Sequence, residues 1–319
     1  MQALPSPMEE WLALLGGQRR YSPHTLDGYR RDLHLLFALL GDTPLQRATA
    51  QDIRQAVARM HARGHHPKSL ARMLSAWRGF YGWWAPQAGL PINPVHGVKP
   101  PRAARGLPKA LSVDQTQSLL DRQGLPPPAN AEEWRDQAMF EVLYSSGLRL
   151  AELVSLDRHP VRTASYASRS WIDLESAEAI VLGKGGKTRA VPLGSKAIEA
   201  ITAWLGRRSE FENRQVNDPD ADAALFLGKR GARISPRVIQ KQLGELAVRA
   251  GLPVHVHPHS LRHSFASHLL QSAQDLRAVQ ELLGHANIST TQIYTKLDFQ
   301  HLAAVYDQAH PRAGRKPDK

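Results

Sequence analysis

Between residues 90 and 111 the chain reads LPINPVHGVKPPRAARGLPKAL, five prolines among basic side chains with neither a helical nor a strand period. Proline interrupts helix interiors and central strands, so this stretch reads as an extended linker at which the 319-residue chain divides. Each side is long enough for its own core, since single domains usually run about 100 to 200 residues. The expected organisation is an N-terminal domain over 1–90, a linker over 91–108, a second domain over 109–308 and a basic, disordered tail over 309–319.

Before the linker the apolar residues recur at helical spacing. Trp11, Leu14 and Leu15 form one stripe and Tyr29, Leu33, Leu36, Phe37 and Leu40 another, with Ser22-Pro23 as the start signal between them. In TAQDIRQAVARMHARG, Thr49 can cap a helix and Gly64 follows its end. The stripe Leu70, Met73, Leu74, Trp77, Phe80 and Tyr81 reads as core, not as a platform for stacking bases. Beyond the linker, SVDQTQSLLD and AEEWRDQAMFEVLYSSGLRLAELVSL are helical, and AEAIVLGKGGKTRAVPLG holds two β-rich runs around a Gly-Lys turn. Helical patterns then resume. The fold class is mainly α, with one small antiparallel β-sheet in a mostly helical second domain.

The 41 Lys and Arg against 29 Asp and Glu give a net charge of +12, which favours a polyanionic partner, nucleic acid first. With no cysteine, disulfides, thiolate zinc sites and a cysteine nucleophile are excluded, and a reducing compartment fits. The apolar run WLALLGG is far shorter than the roughly 18 residues of a membrane span, so a cytoplasmic protein without a membrane partner is expected.

VLGKGGKT suggests a phosphate-binding P-loop, but that pattern needs glycine where the chain has Val181, and a β run follows where a helix is required. The lysines there are solvated turn residues, or else the turn pushes Lys184 into a phosphate groove. His255, His257, His259 and His263 raise a metal site, which Pro258 and the lack of nearby carboxylates disfavour. At that helix start His259 and Arg262 are three residues apart and share a face. Arg149 and Glu152 are, taken alone, a surface pair, yet a cation at a helix start opposes the helix dipole and points to an anion. Arg149, Lys184, His259, Arg262, His285 and Tyr294 together are what transfer of a phosphodiester to a tyrosine oxygen requires. Guanidinium forks neutralise non-bridging oxygens, histidine moves the tyrosine proton, and a turn lysine protonates the leaving oxygen.

These residues match a family. Gly147-Leu148-Arg149 with Glu152, Gly183-Lys184-Gly185, His259 to Ala266 (HSLRHSFA), and Leu283-Gly284-His285 with Tyr294 stand in the order and spacing of the tyrosine recombinases, a resemblance over essentially the whole chain. It implies a SAM-like core-binding domain on DNA followed by a catalytic recombinase domain of that fold. It also implies that Tyr294 forms a 3′-phosphotyrosyl bond while Arg149, Lys184, His259, Arg262 and His285 hold one phosphate, with no metal, cofactor or ATP. The C-terminal LDFQHLAAVYDQAHPRAGRK resembles the members that resolve chromosome dimers at dif sites during cell division. The partners so implied are double-stranded DNA with a dif-like site, a XerD-like recombinase in a heterotetramer of two plus two subunits, and an FtsK-like DNA translocase as regulator. KLDFQHLAAVYDQAH has its own apolar stripe and, as the resemblance implies, is expected to dock on a neighbouring subunit. A phage- or plasmid-type integrase with the same chemistry is the alternative, and a non-catalytic architectural DNA-binding protein a third reading that leaves Tyr294 unexplained. RHPVRTASYASRS, between Asp157 and Trp171, is longer than the family usually has there and reads as a surface loop, or less readily as a phosphate contact through Arg158, Arg162 and Arg169. The arginines of 233–249 lie on an expected helix that could enter a major groove.

Overall fold

The computed structural model describes residues 3–19, 21–102, 110–183, 186–212, 218–253, 256–272, 306 and 309–312, and the chain separates into two compact units, Met1–Leu107 and Pro108–Lys319. The first unit is built on α1 (Ser6–Gly17), α2 (Pro23–Leu40), α3 (Ala50–Ala62) and α4 (Pro67–Trp84). Their starts follow local chemistry. Ser22 Oγ accepts the Thr25 N–H at 3.2 Å, and at α3 the Thr49 N–H donates to Asp52 at 2.8 Å while the Asp52 N–H donates to Thr49 Oγ1 at 3.3 Å. Such caps are worth about 1 kcal/mol each. Trp77, Phe80 and Tyr81 are fully buried, as expected of a core stripe. Their polar ends are satisfied inside, Trp77 Nε1 donating to the Asp32 carbonyl at 2.8 Å and the Tyr81 hydroxyl to the Leu45 carbonyl at 3.1 Å.

The start of the stretch read as linker needs correcting. Val95 and Val98 are buried in this unit's core, because Asn93 donates to the Arg78 carbonyl at 3.1 Å and Arg78 donates to the Val98 carbonyl at 3.0 Å. The prolines exclude regular structure without excluding packing. Residues 103–109 lie outside the described residues.

The second unit is organised around α6 (Ala131–Ser146), which is buried nearly all round and packs against α8 (Ser195–Leu205), α10 (Pro236–Arg249) and α11 (Pro258–Ser272). The shorter α5 (Val113–Leu120), α7 (Leu150–Val154) and α9 (Pro219–Ala223) complete its described helices. The sheet has the order β1 (Leu156–Asp157), β2 (Ser170–Asp173), β3 (Glu178–Leu182), β4 (Thr188–Pro192). It is antiparallel from β2 to β4, with the two residues of β1 added in parallel. No described helix is long and apolar enough to cross a membrane.

The tail is a second correction. Ala309, His310 and Arg312 were assigned to a disordered extension, but all are buried, and Arg312 reaches back to Glu141 of α6 (3.1 and 2.5 Å) and to Asp121 (2.9 Å). Tyr306 lies 2.7 Å from Ser145 Oγ, and a Cβ at Gly194 would sit 2.3 Å from the Arg312 carbonyl oxygen, so only glycine lets the segment so close. These residues dock on their own chain. The composition of the tail is basic and polar, but the buried Glu141 and the exposed Asp121 give its arginine partners that local sequence does not reveal.

Candidate active site

α6 ends at Gly147, whose φ of +58° is the left-handed conformation that stops a helix. A side chain there would also collide with Phe265 of α11, a Cβ lying 2.3 Å from its ring. The turn thus brings α11 against the start of α7, and the Gly147 carbonyl accepts a hydrogen bond from Arg262. Two residues later Arg149 is the N-cap of α7, not a member of its first turn.

Glu152, in the first turn of α7, ties this region together. Its carboxylate accepts the Arg149 backbone N–H at 2.8 Å and Arg149 Nη1 at 2.9 Å. Arg189 of β4 grips it from the other side, Nη1 to Oε1 at 2.9 Å and Nη2 to Oε2 at 3.1 Å. Far from a surface pair, Glu152 is 5% exposed. Burial alone would raise its carboxyl, but the hydrogen bonds and charge of Arg189, with help from Arg149, hold it below the ordinary range. Among the described residues here, three guanidinium groups meet one carboxylate. Arg262 carries the consequence, since burial and then repulsion from Arg149 push it down to about 10. Arg189 and Arg262 are buried and Arg149 is half-exposed, so the fold draws three guanidinium groups to one place.

His259 is exposed on the first turn of α11, its ring stacked 6.2 Å from that of His257. His257 anchors the helix start by accepting the Ser260 N–H at 3.1 Å on Nδ1. The structure therefore brings Arg149 and Arg262 together and sets His259 one turn from Arg262. Lys184, His285 and Tyr294 lie outside the described residues. Gly183, the residue before Lys184, is described: its backbone lies against Arg189, a Cβ there falling 3.1 Å from Nη1. Sequence reading missed Arg189, although a signal existed, for it alternates with exposed Thr188 onto the inward face of β4 with Val191.

Arg233 was expected on a groove-facing helix, and this is corrected. It precedes α10 and is half-buried in a network, donating to Asp157 at 2.6 Å, the Asp220 carboxylate at 2.9 Å, the Tyr166 hydroxyl at 2.9 Å and the carbonyls of Val154, Leu156 and Asp220 at 3.0, 3.1 and 3.2 Å. The Tyr166 hydroxyl itself donates to Asp157 at 2.8 Å, which pins the long 158–169 loop to the sheet and leaves Arg162 and Arg169 exposed.

Compared with known proteins, residues 109–301 match the model of the phage integrase family, and residues 8–87 that of the phage integrase N-terminal SAM-like domain. The chain belongs to the phage integrase family, the tyrosine recombinases. It is therefore a DNA strand-transferring enzyme. It is similar to tyrosine recombinase XerC of Ralstonia pickettii (strain 12J), 49% identical over 99% of this chain and 96% of that protein. It is likewise similar to tyrosine recombinase XerC of Salmonella typhi, 47% identical over 98% of each. Among solved structures the fold is shared with XerH site-specific recombinase bound to a palindromic difH substrate, at TM-score 0.62, 20% identity, 94% of this chain and 84% of that one. It is shared too with the Tn1549 transposon integrase in complex with circular intermediate DNA, at TM-score 0.67, 18% identity, 92% and 98%. The recombinase fold accounts for the small sheet beside α7 and for the helical N-terminal unit.

Proposed function

We propose that this recombinase works as the XerC-like member of a pair, cutting and rejoining DNA at a dif-like site to resolve chromosome dimers at cell division in the cytoplasm. Its partners in that reading are a XerD-like recombinase, two subunits of each on two sites, and an FtsK-like translocase that controls them. The near full-length identity with XerC proteins supports this assignment.

In the chemistry we infer, Arg149 and Arg262 bind the non-bridging oxygens of the scissile phosphate and neutralise the charge that builds on them. The Tyr294 oxygen attacks phosphorus, forms a 3′-phosphotyrosyl bond and releases a 5′ hydroxyl. Tyrosine ionises near pH 10, so it needs a proton acceptor, and His259 and His285 are placed in that role; Lys184 protonates the departing 5′ oxygen. The bond energy stays in the adduct, and reversal by a different 5′ hydroxyl completes strand exchange without a cofactor. The single observation that carries the reading is that Arg149 and Arg262 meet beside Glu152 at the start of α7. The test is incubation with a nicked dif-type duplex in the presence of a chelator, followed by denaturing electrophoresis. Wild type should give a covalent adduct that Tyr294→Phe does not; equal adduct from both would remove Tyr294 from the role.

A further inference from the structure

Arg189 lies in none of the motifs that mark the family in this chain, and its placement demands an explanation. It occupies the inward face of β4, where alternation with exposed residues calls for an apolar side chain. A cation buried there is costly unless paired. Its pairing is with Glu152 through a two-pronged fork, while its Nε is buried without an acceptor. Nothing else among the described residues holds this guanidinium in place by hydrogen bonds, so the strand delivers a charge to one carboxylate. That carboxylate is the one that orients Arg149.

We infer that Arg189 is a positioning residue for phosphodiester transfer, acting through Glu152 on Arg149; the inference rests on the assignment of Arg149 to the phosphate made above. A lone Glu152 would orient Arg149 and neutralise it at once, leaving a one-to-one ion pair in competition with the incoming phosphate. Arg189 supplies the second counter-charge. Its fork fixes the plane of the carboxylate and shares its negative charge, so Arg149 is held in direction without losing its attraction for an anion. The same guanidinium lies against the backbone of Gly183, immediately before Lys184. Arg189 thereby couples the start of α7 to the connection between β3 and β4, so that two segments from which the proposed chemistry draws residues share one strut.

The experiment compares Arg189→Met and Arg189→Lys, alone and with Glu152→Gln, for single-turnover cleavage at saturating nicked dif-type DNA, for site affinity and for thermal unfolding. Arg189→Met should slow cleavage about 10- to 100-fold, the scale of a misplaced catalytic contact, with affinity within about twofold. Arg189→Lys, which keeps the charge and loses the fork, should recover part of the rate. In the Glu152→Gln background the same changes should add less than about threefold, since the route is already broken. A site whose scissile phosphate is a methylphosphonate, with one oxygen charge removed, should shrink the Arg189→Met penalty. A purely structural Arg189 would give an equal loss on both phosphates and an additive loss with Glu152→Gln, and either result overturns the inference, as does an unchanged rate. Should Arg189→Met fail to fold, Arg189→Lys with and without Glu152→Gln decides the question by the same criterion. Wild type without any adduct overturns the underlying active-site reading; adduct-forming wild type with unaffected Arg189 variants overturns this inference alone.

Discussion

Two buried arginine networks stand a few residues apart in the second unit and differ in one respect that explains the rest. Around Glu152, the described residues set Arg149, Arg189 and Arg262 against one carboxylate. Around Arg233, they set one guanidinium against Asp157 and Asp220, with Tyr166 and three carbonyls taking up its remaining donors. Both arginines pay a desolvation penalty, yet they move in opposite directions. Burial lowers Arg233 less than the hydrogen bond and charge of its aspartates raise it, whereas burial and repulsion from Arg149 both lower Arg262, to about 10. Depth of burial therefore does not mark a binding site. The balance of groups separates them: among the described residues, the network in which one guanidinium meets two carboxylates is closed and holds structure, whereas the one in which three guanidinium groups meet one carboxylate is where the proposed phosphate contacts gather.

The sharpest way to break this comparison is Arg233→Ala. Asp157 is fully buried and would keep an uncompensated charge, so stability should fall by about 3 to 5 kcal/mol, read from the denaturant midpoint at constant slope. The surviving folded protein should still form adduct, since Arg233 holds no place for the phosphate. A loss below about 1 kcal/mol would mean that the closed network is not structural. Arg149→Ala should give the opposite profile. Glu152 keeps Arg189 as a partner and Arg262 is relieved of a repulsion, so stability should change by under about 1 kcal/mol. Adduct formation should slow by about 10² to 10³, the usual cost of one preorganised donor at a developing oxyanion. Cleavage that survives intact, or unfolding as severe as that of Arg233→Ala, would place both networks in one class.

What the sequence allowed to be read follows the same division. Features whose cause lies within one turn were legible: the Thr49 and Ser22 caps, the buried stripe through Trp77 and Phe80, and the three-residue spacing of His259 and Arg262. Features that depend on a distant partner were not. Arg189 is inseparable from Glu152, 37 positions away, and Arg233 from Asp157, 76 away, and no periodicity links such residues. A helix-period pattern near Arg233 suggested an exposed, groove-facing side chain because it reports which face is apolar and not where a carboxylate waits. Val95 and Arg312 were misread for the same reason, proline-rich and basic composition standing in for contacts made elsewhere in the fold.

Arg312 makes a third network, again one guanidinium against two carboxylates, and by the same reasoning it should hold structure. It carries a titratable neighbour that tests this with the smallest effect of the three. His310 accepts the Arg312 N–H at 3.2 Å on Nδ1, stacks 4.8 Å from Tyr306, and lies 4.9 Å from the Tyr144 ring, with His268 and Glu141 also facing this pocket from α11 and α6. Burial pushes its imidazole down to about 3, and the charges of His268 and Arg312 oppose protonation further. A base whose folded pKa is depressed binds protons first in the unfolded chain. Its contribution to stability is therefore complete above about pH 6.5 and is lost progressively as the pH falls toward 3. Between pH 7.5 and 5.5 this one group should cost about 1 kcal/mol of unfolding free energy, measured by denaturant titration at fixed ionic strength. His310→Phe keeps the stacking surface and removes the proton site, so its share of the slope should vanish, leaving a share of the same sign from His268, which burial also pushes down, and one of opposite sign from Glu141, which burial pushes up to about 7. A slope untouched by that substitution would show that Tyr306 and residues 309–312 do not unfold together with the core they pack on.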